Sequence, residues 1–294
     1  MQGSAADGDV MVAVEDPEQV AQLVRTAGAL ARSGGRTVRL VTVVVKPPAS
    51  PFGLFSDETI IEEFAADSHE LLDEAPAPEG VDVVRDLVVA RSVADGLVSA
   101  VKREDPAALV IGWDTDPRAS EVLLGSTVDE VFERAPTDVY VERIGREADG
   151  VESVLLPVAG GPHVGAARQA AVAIARENDA EVTILSITTD GPDEGELEAI
   201  VEQERAAVAA RIGEDRVHTE ITAGDSVEGV IVSRATAHDV ILLGATRKGP
   251  FRGRLVGSVP RRVVDRSDRT VIVARATAGR LGRLQRVLAA LTGN

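Results

Sequence analysis

Residues 241–258, ILLGATRKGPFRGRLVGS, and residues 109–126, LVIGWDTDPRASEVLLGS, follow one plan. Each opens on an apolar run ending in glycine, Gly244 or Gly112, and each reaches a Gly-Ser pair thirteen residues later, Gly257-Ser258 or Gly125-Ser126. A short apolar run closed by a turn residue reads as a buried strand, here leading into a helix. The likeness extends outward in both directions, so the chain repeats itself. Upstream, VMVAV (10–14) and SVLLPV (153–158) open the two halves, followed by helical patterns at 19–32 and 164–176. Second strands, VRLVTVVV (38–45) and VTILSI (182–187), precede acidic helices at 57–74 and 195–211. Ala90-Arg91-Ser92-Val93 and Gly224-Asp225-Ser226-Val227 then put a Ser or Asp where a side-chain oxygen caps a helix. Downstream, both halves close on a helix and a last strand, DVYVERI (138–144) and TVIVAR (270–275).

Strands alternating with helices predict the α/β class: parallel sheets with helices on both faces. Two Rossmann-like, doubly wound units, 1–146 and 151–276, fit the 294 residues, joined by the polar, glycine-bounded linker GREADG at 145–150. A basic, amphipathic tail, 277–294, follows. Leu281, Leu284, Leu288 and Leu291 recur at helical spacing there, with Arg280, Arg283 and Arg286 on a flank. Its apolar face is expected on the protein's own surface, or on an anionic membrane or a partner.

Composition narrows the function. Basic residues number 31 against 48 acidic ones, a net charge of −17, which excludes a general nucleic-acid binder. The absence of cysteine excludes disulfides, thiolate catalysis and sulfur-ligated zinc. No apolar run approaches a membrane span, and residues 1–9 lack the basic start of a signal peptide, so a cytoplasmic location is expected. Only Lys46, Lys102 and Lys248 are lysines, and aromatics are 2%, a bias that resembles proteins of salt-loving archaea. The charge is uneven: from 245 onward, twelve basic residues face only Asp265 and Asp268. That stretch is either a solvated surface or a site for an anion.

In a doubly wound sheet, ligands bind beyond the carboxyl ends of strands, beside helix N-termini. The segment from Gly244 to Ser258 lies there. It carries Gly249, Gly253 and Gly257 for close backbone approach, and Arg247 and Lys248 among four basic side chains. Ser258 either donates its hydroxyl to a phosphate oxygen or simply caps a helix.

These residues resemble a tandem universal stress protein of the UspA type, over nearly the whole chain. The resemblance implies five-stranded sheets of order 3-2-1-4-5, arranged as a pseudo-dimer through the last strands, with further homodimers open. It implies a loop of pattern G-x2-G-x9-G-[S/T] that binds ATP with magnesium. Gly244, Gly257 and Ser258 match, and Arg247 replaces the second glycine, where it either blocks the ligand or contacts its phosphates. An Asp usual after the first strand is Ala159, within Ala159-Gly160-Gly161, and adenine is expected near Ile187. In the first half, Gly112, Gly125 and Ser126 match, but Thr115 takes the second glycine's place. Asp114, Asp116 and Glu121 oppose a triphosphate there, with only Arg118 against them, so that half is expected not to bind it. Glu15 stands in the Asp position. Similar domains are found fused to or accompanying amino-acid permeases in haloarchaea, which implies a membrane transporter as partner.

Neither a catalytic set nor a metal site emerges. His69, His163, His218 and His238 share no ligand spacing, and no general base stands beside the loop, so a non-enzyme is expected. His163, at a helix start facing the pocket, is expected to be solvated. Phe52 and Phe55 are expected to pack on the neighbouring domain or to form an exposed contact.

Overall fold

The computed structural model describes residues 8–46, 55–113, 126–145, 148, 150–189, 194–246 and 257–277. The first half runs β1 (Val10–Ala13), α1 (Pro17–Gly34), β2 (Val38–Val45), α2 (Asp57–Phe64), α3 (Ala66–Glu74), β3 (Val83–Ala90), α4 (Val93–Glu104), β4 (Ala108–Trp113), α5 (Ser126–Arg134) and β5 (Asp138–Arg143). The second runs β6 (Ser153–Pro157), α6 (Val164–Asn178), β7 (Glu181–Thr188), α7 (Glu194–Ile212), β8 (Val217–Ala223), α8 (Val227–Ala235), β9 (Val240–Gly244), α9 (Ser258–Arg266) and β10 (Thr270–Arg275). Gly145 and Gly150, which bound the linker, both have positive φ, 80° and 85°.

All strands join one ten-stranded sheet of order β3-β2-β1-β4-β5-β10-β9-β6-β7-β8. Within each half the strands are parallel and ordered 3-2-1-4-5, as expected. Only the seam is antiparallel, where Ile272 pairs with Glu142 and Arg275 with Val139. The pseudo-dimer is thus built through the final strands, and each half covers an edge that would otherwise offer unpaired N–H and C=O groups.

The seam is reinforced by reciprocal contacts. Arg143 of β5 donates to the carbonyl of Ser267, just past α9. In the mirrored position, Arg275 of β10 donates to the carbonyls of Ala135 and Thr137, just past α5, at 2.6 and 2.9 Å. Arg275 also stacks over Phe132, 5.6 Å from its centroid. Arg261 reaches Asp129 at 3.1 Å, and the Tyr140 hydroxyl donates to the carbonyl of Ala166 at 3.3 Å. The core forms one apolar layer on each sheet face, and both layers cross the seam: Tyr140 packs in the same layer as Leu242, and Val141 in the same layer as Val273.

The expected single helix at 57–74 is two helices broken at the buried Ala65 (φ −106°, ψ 25°). In an unbroken helix Ile60 and Leu72 would point about 120° apart; the break allows both to be buried. Phe55 is 40% exposed, which favours the exposed contact over packing on the other domain. Phe52 and the tail from 278 onward lie outside the described residues.

Candidate functional site

At the carboxyl end of the second half's sheet, three helix N-termini converge: α6 begins at Val164, α8 at Val227 and α9 at Ser258. Ser226 caps α8 through its hydroxyl, which accepts from the Gly229 amide at 3.1 Å. Between them lies a cavity of about 260 Å³. Its floor is the ends of β6, β7 and β9; Leu185, Ile187 and Leu243 are buried there. One wall is the loop Val158-Ala159-Gly160, the other the helix starts with Val227, Ile231, Val259 and Pro260. The remaining polar side chains of the lining are His163 and Thr246.

Glycine is required at the rim, at Gly257, and packs closely at Gly244. A Cβ on Gly257 (φ +75°) would sit 1.8 Å from the Thr246 hydroxyl oxygen, so the start of α9 can close on the end of β9 only without a side chain. A Cβ on Gly244 would meet the His163 backbone at 3.3 Å, which binds the end of β9 tightly to the start of α6. Gly160 too has positive φ, 73°, and turns the chain away from β6.

Of the expected site residues, Ala159, Gly160, Ile187 and Gly244 come together in the cavity lining. Gly257 is buried at its rim beside Thr246, and Ser258 is exposed as the first residue of α9. Ser258 is not a helix cap: the capping position belongs to Gly257, and no side-chain cap bond forms. Ser258 stands instead at the N-terminus of α9, the ordinary place for an anion. Arg247, Lys248, Gly249 and Gly253 lie outside the described residues.

His163 corrects an expectation. It is 4% exposed rather than solvated, and its Nδ1 accepts from the Ala276 amide at 3.2 Å. Ala276, one residue past β10, thus ties the chain to the ring, with Nδ1 as the acceptor. Thr246, Val227, Ile231, Val259 and Pro260 also line the site without having been singled out. Val227 and Ile231, four residues apart behind a capping Ser226, carried a usable signal: an apolar pair facing inward at a helix start.

The first half holds the same cavity, about 210 Å³, framed by the matching residues. Val41 and Val43 stand where the second half has Leu185 and Ile187, and Val93 and Leu97 where it has Val227 and Ile231. Thr42 donates to the Val14 carbonyl at 3.0 Å, as Ser186 does to Val158. The chemistry differs at a few places: Glu15, Asp16 and Gln19 replace Ala159, Gly160 and His163, and Trp113 replaces Ala245. Thr115, Gly125 and the charged residues expected to repel a triphosphate, from Asp114 to Glu121, lie outside the described residues. Among the described residues, no three His, Asp or Glu side chains gather as for a metal, and no helix is long and apolar enough to cross a membrane.

Two doubly wound halves, each with a cavity at its carboxyl edge and joined through their last strands, define a tandem α/β protein of Rossmann-like fold. The chain belongs to the universal stress protein family, whose pattern it matches over residues 8–143 and again over 150–275. Among solved structures, a universal stress protein from Archaeoglobus fulgidus is 17% identical, covers 91% of this chain and 98% of its own, and superposes with a TM-score of 0.65. The cytoplasmic domain of a prokaryotic cation chloride cotransporter shares the fold at 11% identity, 92% and 96% coverage and a TM-score of 0.53. A universal stress protein from Archaeoglobus fulgidus solved in complex with dAMP is 26% identical over 46% of this chain and 98% of its own, with a TM-score of 0.35. No match is found among curated proteins.

Proposed function

We propose that the protein is a non-enzymatic, cytoplasmic regulator that responds to ATP or a related nucleotide, with the ligand site in the second domain. The observation that carries this reading is the cavity between the starts of α6, α8 and α9. It has an apolar floor at Ile187 suited to a base, and Gly257 and Ser258 offer backbone amides and a hydroxyl to phosphates. The basic loop of Arg247, Lys248, Arg252 and Arg254, next in the chain, supplies charge of the right sign. No carboxylate lines this cavity among the described residues. Magnesium would arrive with the nucleotide. Binding acts as a switch through its preference for one arrangement of the loop that follows β9, which a partner then reads.

The test is a calorimetric titration with magnesium ATP in high salt, on wild type, Gly257→Val and Ser258→Ala. The expected result is saturation at about one site per chain, abolished by Gly257→Val and weakened by about fivefold by Ser258→Ala. Absence of binding to millimolar ATP overturns the reading. In that case a second one takes over, nucleotide-independent regulation of a membrane transporter. It starts from the cotransporter's cytoplasmic domain having this tandem fold, and partner capture with and without ATP separates the two.

A further inference from the structure

Two successive amides just past β10 are held by one buried side chain from each domain. The Ala276 amide donates to Nδ1 of His163, the residue before α6, at 3.2 Å. The Thr277 amide donates to Oδ1 of Asp138, the first residue of β5, at 2.8 Å. His163 is 4% exposed and Asp138 2%. Residues 276–277 thus form a strap between the domains, and its second-domain anchor is also part of the second cavity's wall.

The strap depends on the charge of that anchor. A ring nitrogen that accepts carries no proton, so the His163 imidazole is neutral while it holds Ala276. In the imidazolium both nitrogens donate, and Nδ1–H would face the Ala276 N–H with no acceptor between them. Burial and the positive ends of α6, α8 and α9 oppose that charged form. A negative charge in the cavity favours it. The cavity is about 260 Å³, so no charge inside it lies far from the ring, and the effect needs no direct contact. Among the described residues of the lining, His163 is the only titratable side chain. Charged groups on the elements around it are bound elsewhere. Arg168 of α6 pairs with Glu204 of α7 at 2.8 Å, and Glu228 of α8 pairs with Arg262 of α9. Arg275 of β10 is held by the carbonyls of Ala135 and Thr137, and Asp138 holds the strap itself.

We infer, on the reading that an anionic nucleotide enters this cavity, that His163 takes up a proton as the ligand binds and releases the strap at Ala276. The proton comes from solvent and forms the Nδ1–H bond; the hydrogen bond from the Ala276 amide is lost, and no covalent bond of the ligand changes. His163 is thus a positioning residue that converts ligand charge into a weaker hold between the second cavity and the start of β5 in the first domain.

The full chain is titrated by calorimetry at neutral pH in high salt, in two buffers of different ionisation enthalpy, which counts protons taken up per ligand. Magnesium ATP is compared with adenosine, which brings the base without the charge, on wild type and His163→Asn. The asparagine oxygen accepts from the Ala276 amide but takes no proton, so this variant is expected to melt as wild type does. Hydrogen exchange at the Ala276 and Thr277 amides is followed with and without each ligand. ATP is expected to bring a proton uptake in wild type that His163→Asn and adenosine lack. It is also expected to speed exchange at Ala276 at least about fivefold, in wild type alone. ATP that binds with no more uptake than in His163→Asn overturns the inference and leaves the nucleotide reading standing. So does uptake with exchange at Ala276 unchanged. ATP that does not bind overturns the nucleotide reading and this inference with it.

Discussion

Asp239 stands one residue before β9, and its carboxylate reaches across to the start of β6. It accepts from the amides of Glu152 and Ser153, both at 3.0 Å, and from the Ser153 hydroxyl at 2.9 Å. Burial pushes this carboxyl up, but the Glu152 amide, the Ser153 hydroxyl and amide, and the charge of Arg269 outweigh it and hold it below the usual aspartate value. A carboxyl depressed in the folded state adds stability above its unfolded pKa, about 3.9, and loses it as the pH falls through the folded value. Asp239→Ala is therefore expected to cost about 2 kcal/mol at neutral pH, and the deficit should shrink below pH of about 4. Urea unfolding of both proteins at the two pH values checks this; a deficit independent of pH would mean that the charge contributes nothing. The pairing was not legible beforehand, because Asp239 and Ser153 are 86 residues apart. His163 was misjudged for the same reason: its partner amide, Ala276, comes from 113 residues away.

Among the elements, α8 and α9 frame the second cavity and are joined by Glu228 and Arg262. The Glu228 carboxyl lies below its usual range, chiefly because its own backbone amide bonds it; burial opposes this and Arg262 adds to the lowering. Arg262→Ala is expected to cost about 1 kcal/mol and to weaken ATP binding by about threefold as the start of α9 loosens. Thermal melts and the ATP titration read the two effects separately, and lost stability with intact affinity would show that the clamp does not shape the site. The elements were largely legible: 38–45 and 270–275 coincide with β2 and β10, because a parallel strand buried on both faces is one continuous apolar run. The break at Ala65 was not, since helix-forming residues continue on both sides of it and only packing of Ile60 and Leu72 demands it. Ile187, now on the cavity floor, was named only through the family resemblance. The walls at Val259 and Pro260 were not legible, because the sequence gives no hint of how closely α9 approaches β9.

For the whole molecule, every residue of β5 is buried, and that burial depends on β10 beside it. The full chain is expected to unfold in one calorimetric transition. A chain ending at residue 145, stripped of its partner edge, is expected to associate in sedimentation experiments. Two separate transitions and a monomeric half would show that the seam contributes little.

The antiparallel seam has a geometric consequence. Because β10 runs opposite to β5 while each half is parallel throughout, the carboxyl ends of the two halves lie on opposite rims of the sheet. The two mouths look away from each other. A body docked at one cannot touch what fills the other. Between the two rims stands the seam, braced by Arg143 on one side and Arg275 on the other. The molecule is built double-ended, its two cavities set back to back across one seam.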